Sequence, residues 1–226
     1  FGDDRLILEQ YLKPVRHIEI QLVGDGKNFW HLHERDCSLQ RRYQKLIEES
    51  PARNLLPAVR DALFTAALKL AEAIKLKGVA TAEFLVREEQ TRAEPFVFLE
   101  INPRIQVEHP ITECVTGLDI VELQLKIAAN ETIRLVQEEI KVRAHAIEAR
   151  VCAELPAFDF RPSTGTVRRL EIPADSALRF EHALKANLGI NSQYDSLILK
   201  VIAWGDTAEQ ARERLSHALQ ALTLGG

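Results

Sequence analysis

The chain has 226 residues, of which 46% are hydrophobic and 27% are charged, and its formal net charge is −4. A chain of this length can bury a sizeable core, either in one large domain or in two small ones. Its charge balance argues against bulk binding to nucleic acid or to an anionic membrane, and no apolar run approaches the ~20 residues needed to cross a bilayer.

Strands are predicted first along the chain. Residues 6–12 and 17–23 have the apolar content and, in the second case, the polar and apolar alternation of strands. The turn at 24–28 predicts a hairpin into a partner strand over 29–32. Residues 35–48 are densely polar.

A helix and a hairpin are predicted next. Pro57 suits the first turn of a helix and Gly78 its end, with an apolar stripe of Val59, Leu63, Ala66, Leu70 and Ile74. Residues 79–86 and 96–101 predict a hairpin across a charged turn at 87–94. Residues 119–129 predict a second helix.

Beyond about residue 142 the pattern changes to successive strand-like stretches. We expect strands at 144–152, 165–172, 178–184 and 197–204. Asp206 and Thr207 then open a closing helix, whose predicted buried face is Ala208, Ala211, Leu215, Ala218 and Leu222. This change predicts a boundary near residue 140, with one domain over 1–140 and a second over 141–226.

One polar segment carries the most information about function. It begins at Glu100 and reads Glu-Ile-Asn-Pro-Arg-Ile-Gln-Val-Glu-His-Pro. In an extended chain Glu100 and Asn102 share one face, and beyond the next proline Arg104, Gln106 and Glu108 share a face. A core strand does not need so many polar groups, so the segment predicts a ligand site.

The predicted hairpin adds a second acidic residue to this site. If its turn is centred near Thr91, Glu83 comes close to opposite Glu100. Two carboxylates placed in this way repel each other unless a cation lies between them. With Asn102 they form an all-oxygen set, which favours Mg²⁺ or Mn²⁺ over zinc. The alternative interpretation is the solvated outer face of a hairpin.

Three further features allow two interpretations each. Arg104 offers a planar fork for a carboxylate-like anion such as bicarbonate, with Glu108 as a base. Alternatively, Arg104 forms a structural ion pair with Glu108.

The cations around Tyr43, in Gln-Arg-Arg-Tyr-Gln-Lys, suit either the phosphates of a nucleotide or a hydrated surface. The sequence contains no glycine-rich phosphate loop. Arg179 by itself predicts a surface or ion-pair arginine.

Taken together, these segments resemble the biotin carboxylase family of the ATP-grasp superfamily. The matching stretches are residues 8–12, 16–21, 34–42, 83–85, 100–113, 145–150, 162–165 and 194–196. The resemblance implies an α+β fold. An ATP-grasp C-terminal subdomain, an antiparallel sheet with flanking helices, would be followed by the biotin carboxylase C-terminal sheet-and-helix unit.

The resemblance also implies a role for each matching residue. Glu83, Glu100 and Asn102 would ligate two divalent ions, and Arg179 would bind the enolate form of biotin. Bicarbonate would be held by Arg104, Gln106, Glu108 and the backbone of Val107. The ATP-binding residues would be Glu9, Leu12, His17, Gln40, Tyr43, Lys45 and Leu85, together with Glu83 and Glu100. The catalytic set would be Arg104, Glu108, Arg179 and Lys45.

The implied reaction has two steps. Bicarbonate attacks the γ-phosphate of ATP and gives carboxyphosphate and ADP. Carboxyphosphate then releases CO₂ beside a biotin whose ureido nitrogen has lost its proton. The implied partners are a biotin carboxyl carrier protein or domain, a carboxyltransferase subunit or domain and a second copy of the chain, without nucleic acid or membrane.

The cellular setting follows from the same resemblance and from the cysteines. Cys37, Cys114 and Cys152 lack metal-ligand spacing, so we expect unpaired thiols in a reducing compartment. That compartment would be the cytoplasm, or the mitochondrial matrix of a eukaryote. The acceptor stays open among acetyl-, propionyl- and methylcrotonyl-CoA, pyruvate and urea, so a role in fatty acid biosynthesis through an acyl-CoA carboxylase is one of several.

The sequence departs from the family pattern at single positions and in its extent; Gln10 replaces a common lysine and Leu199 a usual small residue. Tyr43 stands where the family usually has histidine or asparagine. The family's N-terminal nucleotide-fold domain and glycine-rich lid have no match, so we expect the C-terminal portion of such an enzyme, with little or no turnover by itself. The alternatives are another ATP-grasp carboxylate ligase and a non-catalytic scaffold or dimerisation module.

Overall fold

The computed structural model describes Gly2 and residues 4–226, which form an α+β fold. The strands are β1 (Val15–Asp25), β2 (Phe29–Arg41), β3 (Gln44–Ser50), β4 (Lys77–Arg87), β5 (Phe96–Asn102), β6 (His145–Cys152), β7 (Glu154–Leu155), β8 (Arg161–Pro162), β9 (Gly165–Thr166), β10 (Arg169–Glu171), β11 (Leu178–His182), β12 (Gly189–Ile190), β13 (Leu197–Gly205) and β14 (Thr223–Gly225). The helices are α1 (Pro57–Ala73), α2 (His109–Thr116), α3 (Ile120–Ala128) and α4 (Ala208–Ala221), with short 3₁₀ turns at Gln137–Glu139 and Pro156–Phe158.

A single antiparallel sheet runs through both halves of the described chain. Its eight strands follow the order β11-β13-β6-β3-β2-β1-β4-β5. The halves join where β3 pairs with β6, with Glu48 directly opposite Glu148. The predicted antiparallel sheet is confirmed. The domain boundary near residue 140 stays a prediction, and strands from both sides of it share this sheet.

The centre of the sheet is buried on both faces. Ile18, Ile20 and Leu22 of β1 form a core with α1 on one face. Glu19 and Gln21 alternate with them and are also fully buried; Arg35 of β2 donates to both, and it donates to Thr112 of α2 as well. The polar alternation of β1 therefore marks a buried polar layer rather than a solvent-exposed face.

The first helix begins at Pro57, as its residue type predicts. Its fully buried stripe advances in steps of four residues through Val59, Leu63, Ala67 and Ala71. Within the predicted stripe, Val59 and Leu63 are buried, Ala66 and Leu70 pack against the core as partly buried side chains, and only Ile74 is misplaced. Ile74 is 48% exposed, because the helix ends at Ala73 rather than at Gly78.

Several elements were predicted correctly from local signals. The β4–β5 hairpin is confirmed, as are the β1–β2 hairpin, β6, β11, β13 and helix α3. In α4, the Thr207 side chain accepts a hydrogen bond from the Gln210 N–H and caps the helix as predicted. Ala211, Leu215 and Ala218 are buried against β13 and β6.

Other predicted elements are wrong. Residues 6–12 form no strand, and Leu6, Leu8 and Tyr11 are largely exposed because no neighbouring strand pairs with them. The predicted strand at 165–172 is split into β9 and β10, which pair with β12 and β14 respectively. The polar stretch at 35–48 contains the end of β2 and most of β3, and helix α2 was not predicted.

Two general features complete the fold. Cys37, Cys114 and Cys152 are free thiols, and Cys37 is buried. Within the described residues, no helix is both long enough and apolar enough to cross a membrane.

Candidate functional site

A cavity of about 1090 Å³ is lined by residues of β1 to β6, together with the segment before β1 and the turn after β5. It brings together residues that lie far apart in the sequence. The predicted site residues that line it are Glu9, Leu12, His17, Gln40, Tyr43, Lys45, Glu83, Leu85, Glu100, Asn102, Arg104, Gln106, Val107 and Glu108. Arg179 does not line this cavity.

The hairpin places the predicted metal ligands together. Glu83 in β4 lies directly opposite Glu100 in β5, close to the predicted position, after a one-residue register shift between Glu83 and Phe84. The Asn102 amide donates to Glu83 Oε1 at 2.9 Å and to Glu100 Oε1 at 2.8 Å. Glu83 is buried and Glu100 is exposed, so the group reaches from the cavity wall to solvent. These hard oxygen donors fit Mg²⁺ or Mn²⁺.

Glu83 is held in its ionised form. Its burial raises the pKa, but a 2.6 Å hydrogen bond from His17 Nε2 and the charge of Lys45 outweigh this effect. The net result lowers the Glu83 pKa to about 2. Gln106 Nε2 also donates to Glu83 Oε1 at 2.8 Å. A carboxylate must be ionised to bind a metal ion, and this one is.

Lys45 lies at the centre of the carboxylate groups. Its ammonium is 2.6 Å from Glu108 Oε1 and 3.4 Å from Glu83 Oε1, and it also pairs with Glu19. Its three donors therefore link the candidate metal group with the candidate base. Burial lowers the pKa of Lys45, but the surrounding carboxylates outweigh it, so the pKa is raised and the group stays charged.

Glu108 is clamped between two cations. Lys45 contacts one of its oxygens, and Arg150 Nη2 donates to Glu108 Oε2 at 2.9 Å. Burial raises the Glu108 pKa, but the charges of Arg35, Lys45 and Arg150 outweigh it and lower the pKa to about 2. Glu108 is only 2% exposed, so this carboxylate is ionised and shielded from solvent.

Arg35 organises the buried layer beneath the cavity. It is fully buried, and each nitrogen of its guanidinium donates hydrogen bonds to protein oxygens. It pairs with Glu19 at 3.0 Å and donates to Gln21 Oε1 at 2.7 Å and to Gln106 Oε1 at 3.2 Å. It also donates to Thr112 of α2 at 3.0 Å. This network fixes Gln106 against the sheet.

The segment after β5 departs from the extended form expected for it. Residues 103–108 make a turn that leads into α2 at His109. Arg104 is exposed, whereas Gln106 and Glu108 are buried, so the three line the cavity without sharing one strand face. Arg104 and Glu108, both within the described part of the chain, do not form the ion pair that was the alternative interpretation. Arg104 instead donates to the Ile105 carbonyl at 3.1 Å.

The predicted nucleotide residues form the more open part of the cavity. Gln40 Nε2 lies 2.9 Å from His17 Nδ1, which connects β2 with β1. Glu9 lies on the exposed segment before β1. Tyr43 is 87% exposed and has φ 64°, in the tight turn between β2 and β3. Exposed side chains in such a turn can contact a ligand without disturbing the core.

Arg179 lies on β11, apart from the cavity lining. It donates to Glu113 Oε2 at 2.6 Å and pairs with Glu181 on the same strand. Its side chain is 38% exposed. The sequence-based expectation of an ion-pair arginine describes these contacts, and the biotin role implied for Arg179 stays a prediction.

Sequence reasoning missed four buried or half-buried charged residues of this site. They are Glu19, Arg35, Arg150 and Lys200. A signal existed for Glu19, since it alternates with apolar residues in a strong strand pattern. The same pattern fits an exposed face, so only knowledge of what covers the sheet separates the two interpretations.

Two family models match this chain. Residues 1–136 match the model described as carbamoyl-phosphate synthase L chain, ATP binding domain. Residues 148–226 match the model described as biotin carboxylase C-terminal domain.

Known proteins resemble the chain over nearly its whole length. The alpha subunit of mitochondrial methylcrotonoyl-CoA carboxylase from mouse (Mus musculus) is 42% identical over 228 residues, which cover 100% of this chain and 31% of that protein. The small subunit of 2-oxoglutarate carboxylase from Hydrogenobacter thermophilus is 42% identical over 227 residues, covering 100% of this chain and 47% of that protein. The chain thus spans less than half the length of these relatives.

A solved structure shares the fold. The biotin carboxylase domain dimer of Hydrogenobacter thermophilus 2-oxoglutarate carboxylase, in complex with MgADP, ADP and bicarbonate, superimposes with a TM-score of 0.91 at 42% identity. The match covers 96% of this chain and 48% of that one.

Proposed function

Since the chain belongs to the biotin carboxylase family, we propose that the full-length protein carboxylates biotin on a carrier, using ATP and bicarbonate. Carboxyphosphate is the intermediate: a bicarbonate oxygen bonds to the γ-phosphorus of ATP as the bond to ADP breaks. Carboxyphosphate then breaks down to phosphate and CO₂, and the deprotonated ureido nitrogen of biotin attacks that CO₂.

One observation carries this proposal. Glu108 is a buried, ionised carboxylate held between Lys45 and Arg150, in the same cavity as Glu83 and Asn102. Cations in such a site bind an anionic nucleophile, and oxygen ligands nearby suit the metal ion of a nucleotide. Arg104, Gln106 and the backbone of Val107 lie on the same turn and are proposed to hold bicarbonate with Glu108.

The low pKa of Glu108 bears on its role as a base. With a pKa of about 2 it is a weak proton acceptor, because Arg35, Lys45 and Arg150 stabilise its charge. Anions bound in the cavity compete for Lys45, and the loss of that partner raises the Glu108 pKa. We propose that bound ATP and bicarbonate make Glu108 basic enough to remove the bicarbonate proton.

The metal site is proposed on Glu83, Glu100 and Asn102, whose hard oxygens fit Mg²⁺ or Mn²⁺. A divalent ion there would neutralise charge on the nucleotide phosphates. Lys45 is placed to contact phosphate oxygens beside it. His17 and Gln40 are proposed to bind the ribose, with Glu9, Leu12, Leu85 and Tyr43 also contacting the nucleotide.

Arg179 is proposed to pair with the oxyanion that forms when biotin becomes an enolate. Its guanidinium already carries two carboxylate partners, and 38% of its side chain is exposed. A biotin oxyanion therefore has to share or replace one of those partners. Since a guanidinium has five N–H donors, sharing is chemically reasonable.

The wider setting is proposed from the family. A biotin carrier and a carboxyltransferase act with the protein, and the active form is a homodimer in the cytoplasm or mitochondrial matrix. The acceptor of the carboxyl group stays open. The expected inactivity of the isolated 226-residue chain also stays a prediction.

Phosphate release by the full-length protein tests the proposed function. The assay uses Mg-ATP and bicarbonate, with and without free biotin, for wild type, Arg179→Ala and the control Arg169→Ala, whose side chain is 64% exposed. We expect biotin to stimulate wild type and the control but not Arg179→Ala. Hydrolysis indifferent to biotin would favour another ATP-grasp ligase, and absence of hydrolysis would favour a non-catalytic scaffold.

A further inference from the structure

The cavity and Arg179 are connected by a short chain of polar contacts. Glu181 follows Arg179 by two positions on β11, so both side chains point to the same face of the sheet. The adjacent strand β13 places Lys200 directly opposite Glu181. Arg179 pairs with Glu181, and Lys200 Nζ lies 2.5 Å from Glu181 Oε2.

Lys200 also reaches the turn that forms the cavity wall. Its Nζ donates to the Val107 carbonyl at 2.7 Å. This carbonyl lies between Gln106 and Glu108, the two buried side chains of that turn. A bond at this point restricts the rotation of the backbone on which both side chains depend.

Because Lys200 is largely buried, the loss of either contact would cost more free energy than it would at the surface. Only 11% of its side chain is exposed, and Glu181 is 27% exposed. An ammonium in such a position has few water molecules to replace a lost partner. Bonds between a charged donor and protein oxygens are about twice as strong as neutral ones.

The far end of the chain of contacts is fixed to a helix. Arg179 donates to Glu113 Oε2 at 2.6 Å, and Glu113 Oε1 accepts from the Ile120 N–H at 2.8 Å. Glu113 lies in α2, the helix that begins directly after Glu108. Arg179 is therefore tied to the turn by two routes, one through α2 and one through Glu181 and Lys200.

We propose that Lys200 and Glu181 are positioning residues, which hold Arg179 at a fixed separation from the turn at residues 103–108, where bicarbonate is proposed to bind. This inference rests on the proposed function. The separation matters only if CO₂, released from carboxyphosphate beside Glu108, must reach a biotin held by Arg179. Neither residue needs to touch a substrate in this role. Lys200 sets the turn, and Glu181 sets the guanidinium.

The two residues have separable expected effects. Lys200→Met removes both contacts, so the Michaelis constants for bicarbonate and for biotin each rise about tenfold or more. Glu181→Gln leaves the Lys200–Val107 bond in place, so the constant for biotin rises while the constant for bicarbonate changes less than about threefold. Lys200→Arg keeps a donor and recovers part of the loss.

The test measures both constants in the full-length protein. Bicarbonate dependence is followed by phosphate release, and biotin dependence by carboxylation of free biotin. Lys185→Met serves as the control, since Lys185 is exposed in the loop between β11 and β12. Melting temperatures are recorded for each variant, and Glu181→Gln remains informative if Lys200→Met does not fold.

Two results overturn the inference. The first is Michaelis constants for Lys200→Met or Glu181→Gln that equal those of Lys185→Met. The second is a loss of turnover in proportion to a loss of folded protein with both constants unchanged, which marks a purely structural role. If wild type shows no bicarbonate-dependent phosphate release, the proposed function fails instead, which distinguishes the two failures.

Discussion

Arg150 and Glu108 are joined by an ion pair of 2.9 Å although they lie 42 positions apart in the sequence. The same guanidinium donates to Glu48 Oε1 at 2.6 Å from its Nε atom. Arg150 therefore connects the candidate base with a buried strand of the sheet. A role for this residue was not visible in the sequence, and its removal should affect both stability and activity.

We predict that Arg150→Met lowers bicarbonate-dependent phosphate release at least about tenfold and destabilises the protein by about 3–5 kcal/mol. The reason is that two buried carboxylates, Glu48 and Glu108, lose a cationic partner together. Kinetics and urea unfolding of the full-length protein measure the two effects. Arg53→Met is the control, because the Arg53–Glu49 pair is half exposed and worth under about 1 kcal/mol. Equal behaviour of the two variants would contradict the prediction.

A second prediction concerns pH and Glu148. Both of its carboxyl oxygens are buried without a hydrogen-bond partner, and it faces Glu48 across the β3–β6 pair. Burial raises the pKa of Glu148 well above its usual range, against the opposing charges of Lys200 and Arg150, while Glu48 and Glu108 add to the rise. Burial also raises the pKa of Glu48 to about 7.

The sign of the pH effect follows from these shifts. A carboxyl group whose folded-state pKa is raised holds its proton in the folded protein and releases it on unfolding. Its contribution to stability is complete below the unfolded pKa and is lost as pH rises through the folded pKa. The stability that Glu148 and Glu48 contribute should therefore be lost as pH rises from about 5 to about 8.

Glu148→Gln tests this expectation, since the amide stays neutral at every pH. We predict that its stability relative to wild type rises between about pH 5 and pH 8. Urea unfolding at several pH values provides the measurement, with exposed Glu131→Gln as the control. A variant whose curve runs parallel to that of wild type would show that Glu148 is ionised throughout.

A third prediction concerns Glu100, one of the proposed metal ligands. Glu100→Gln should weaken binding of ADP about tenfold or more when Mg²⁺ is present, because one charged oxygen ligand is lost. Binding of ADP without Mg²⁺ should not change. Calorimetric titration of the full-length protein separates the two conditions, with Glu122→Gln on α3 as the control. An equal loss with and without Mg²⁺ would argue against a metal role for Glu100.

The fourth prediction concerns the turn between β2 and β3. Tyr43 has φ 64° and an 87% exposed side chain, so its backbone is in the left-handed region without compensating burial. Asparagine tolerates this region better. Tyr43→Asn should therefore stabilise the protein by about 0.5–1 kcal/mol in thermal or urea unfolding.

Tyr194→Asn is the matched control for this variant. Tyr194 is 81% exposed, and its φ is not positive. We expect no gain in stability from that substitution. A gain of similar size in both variants would show that backbone conformation at Tyr43 is not the cause.

Those parts of the site that depend on neighbouring residues could be predicted from the sequence. The turn between β4 and β5 brings Glu83 near Glu100, and a one-residue register shift between Glu83 and Phe84 sets them directly opposite each other. Pro57 and Thr207 begin their helices because their residue types suit the first turn and the cap. The family resemblance added the residues of the cavity, most of which lie together.

The pairs of charged residues that meet in the site could not be predicted, because they depend on how distant segments pack together. The pairing of β3 with β6 brings Arg150 and Glu48 together although they are 102 positions apart, and β13 brings Lys200 to Val107 across 93 positions. The tertiary structure also decided that Glu19 and Gln21 are buried and that residues 6–12 form no strand. A local pattern records the face of a strand but not what covers that face, because pairing and burial depend on segments distant in the sequence.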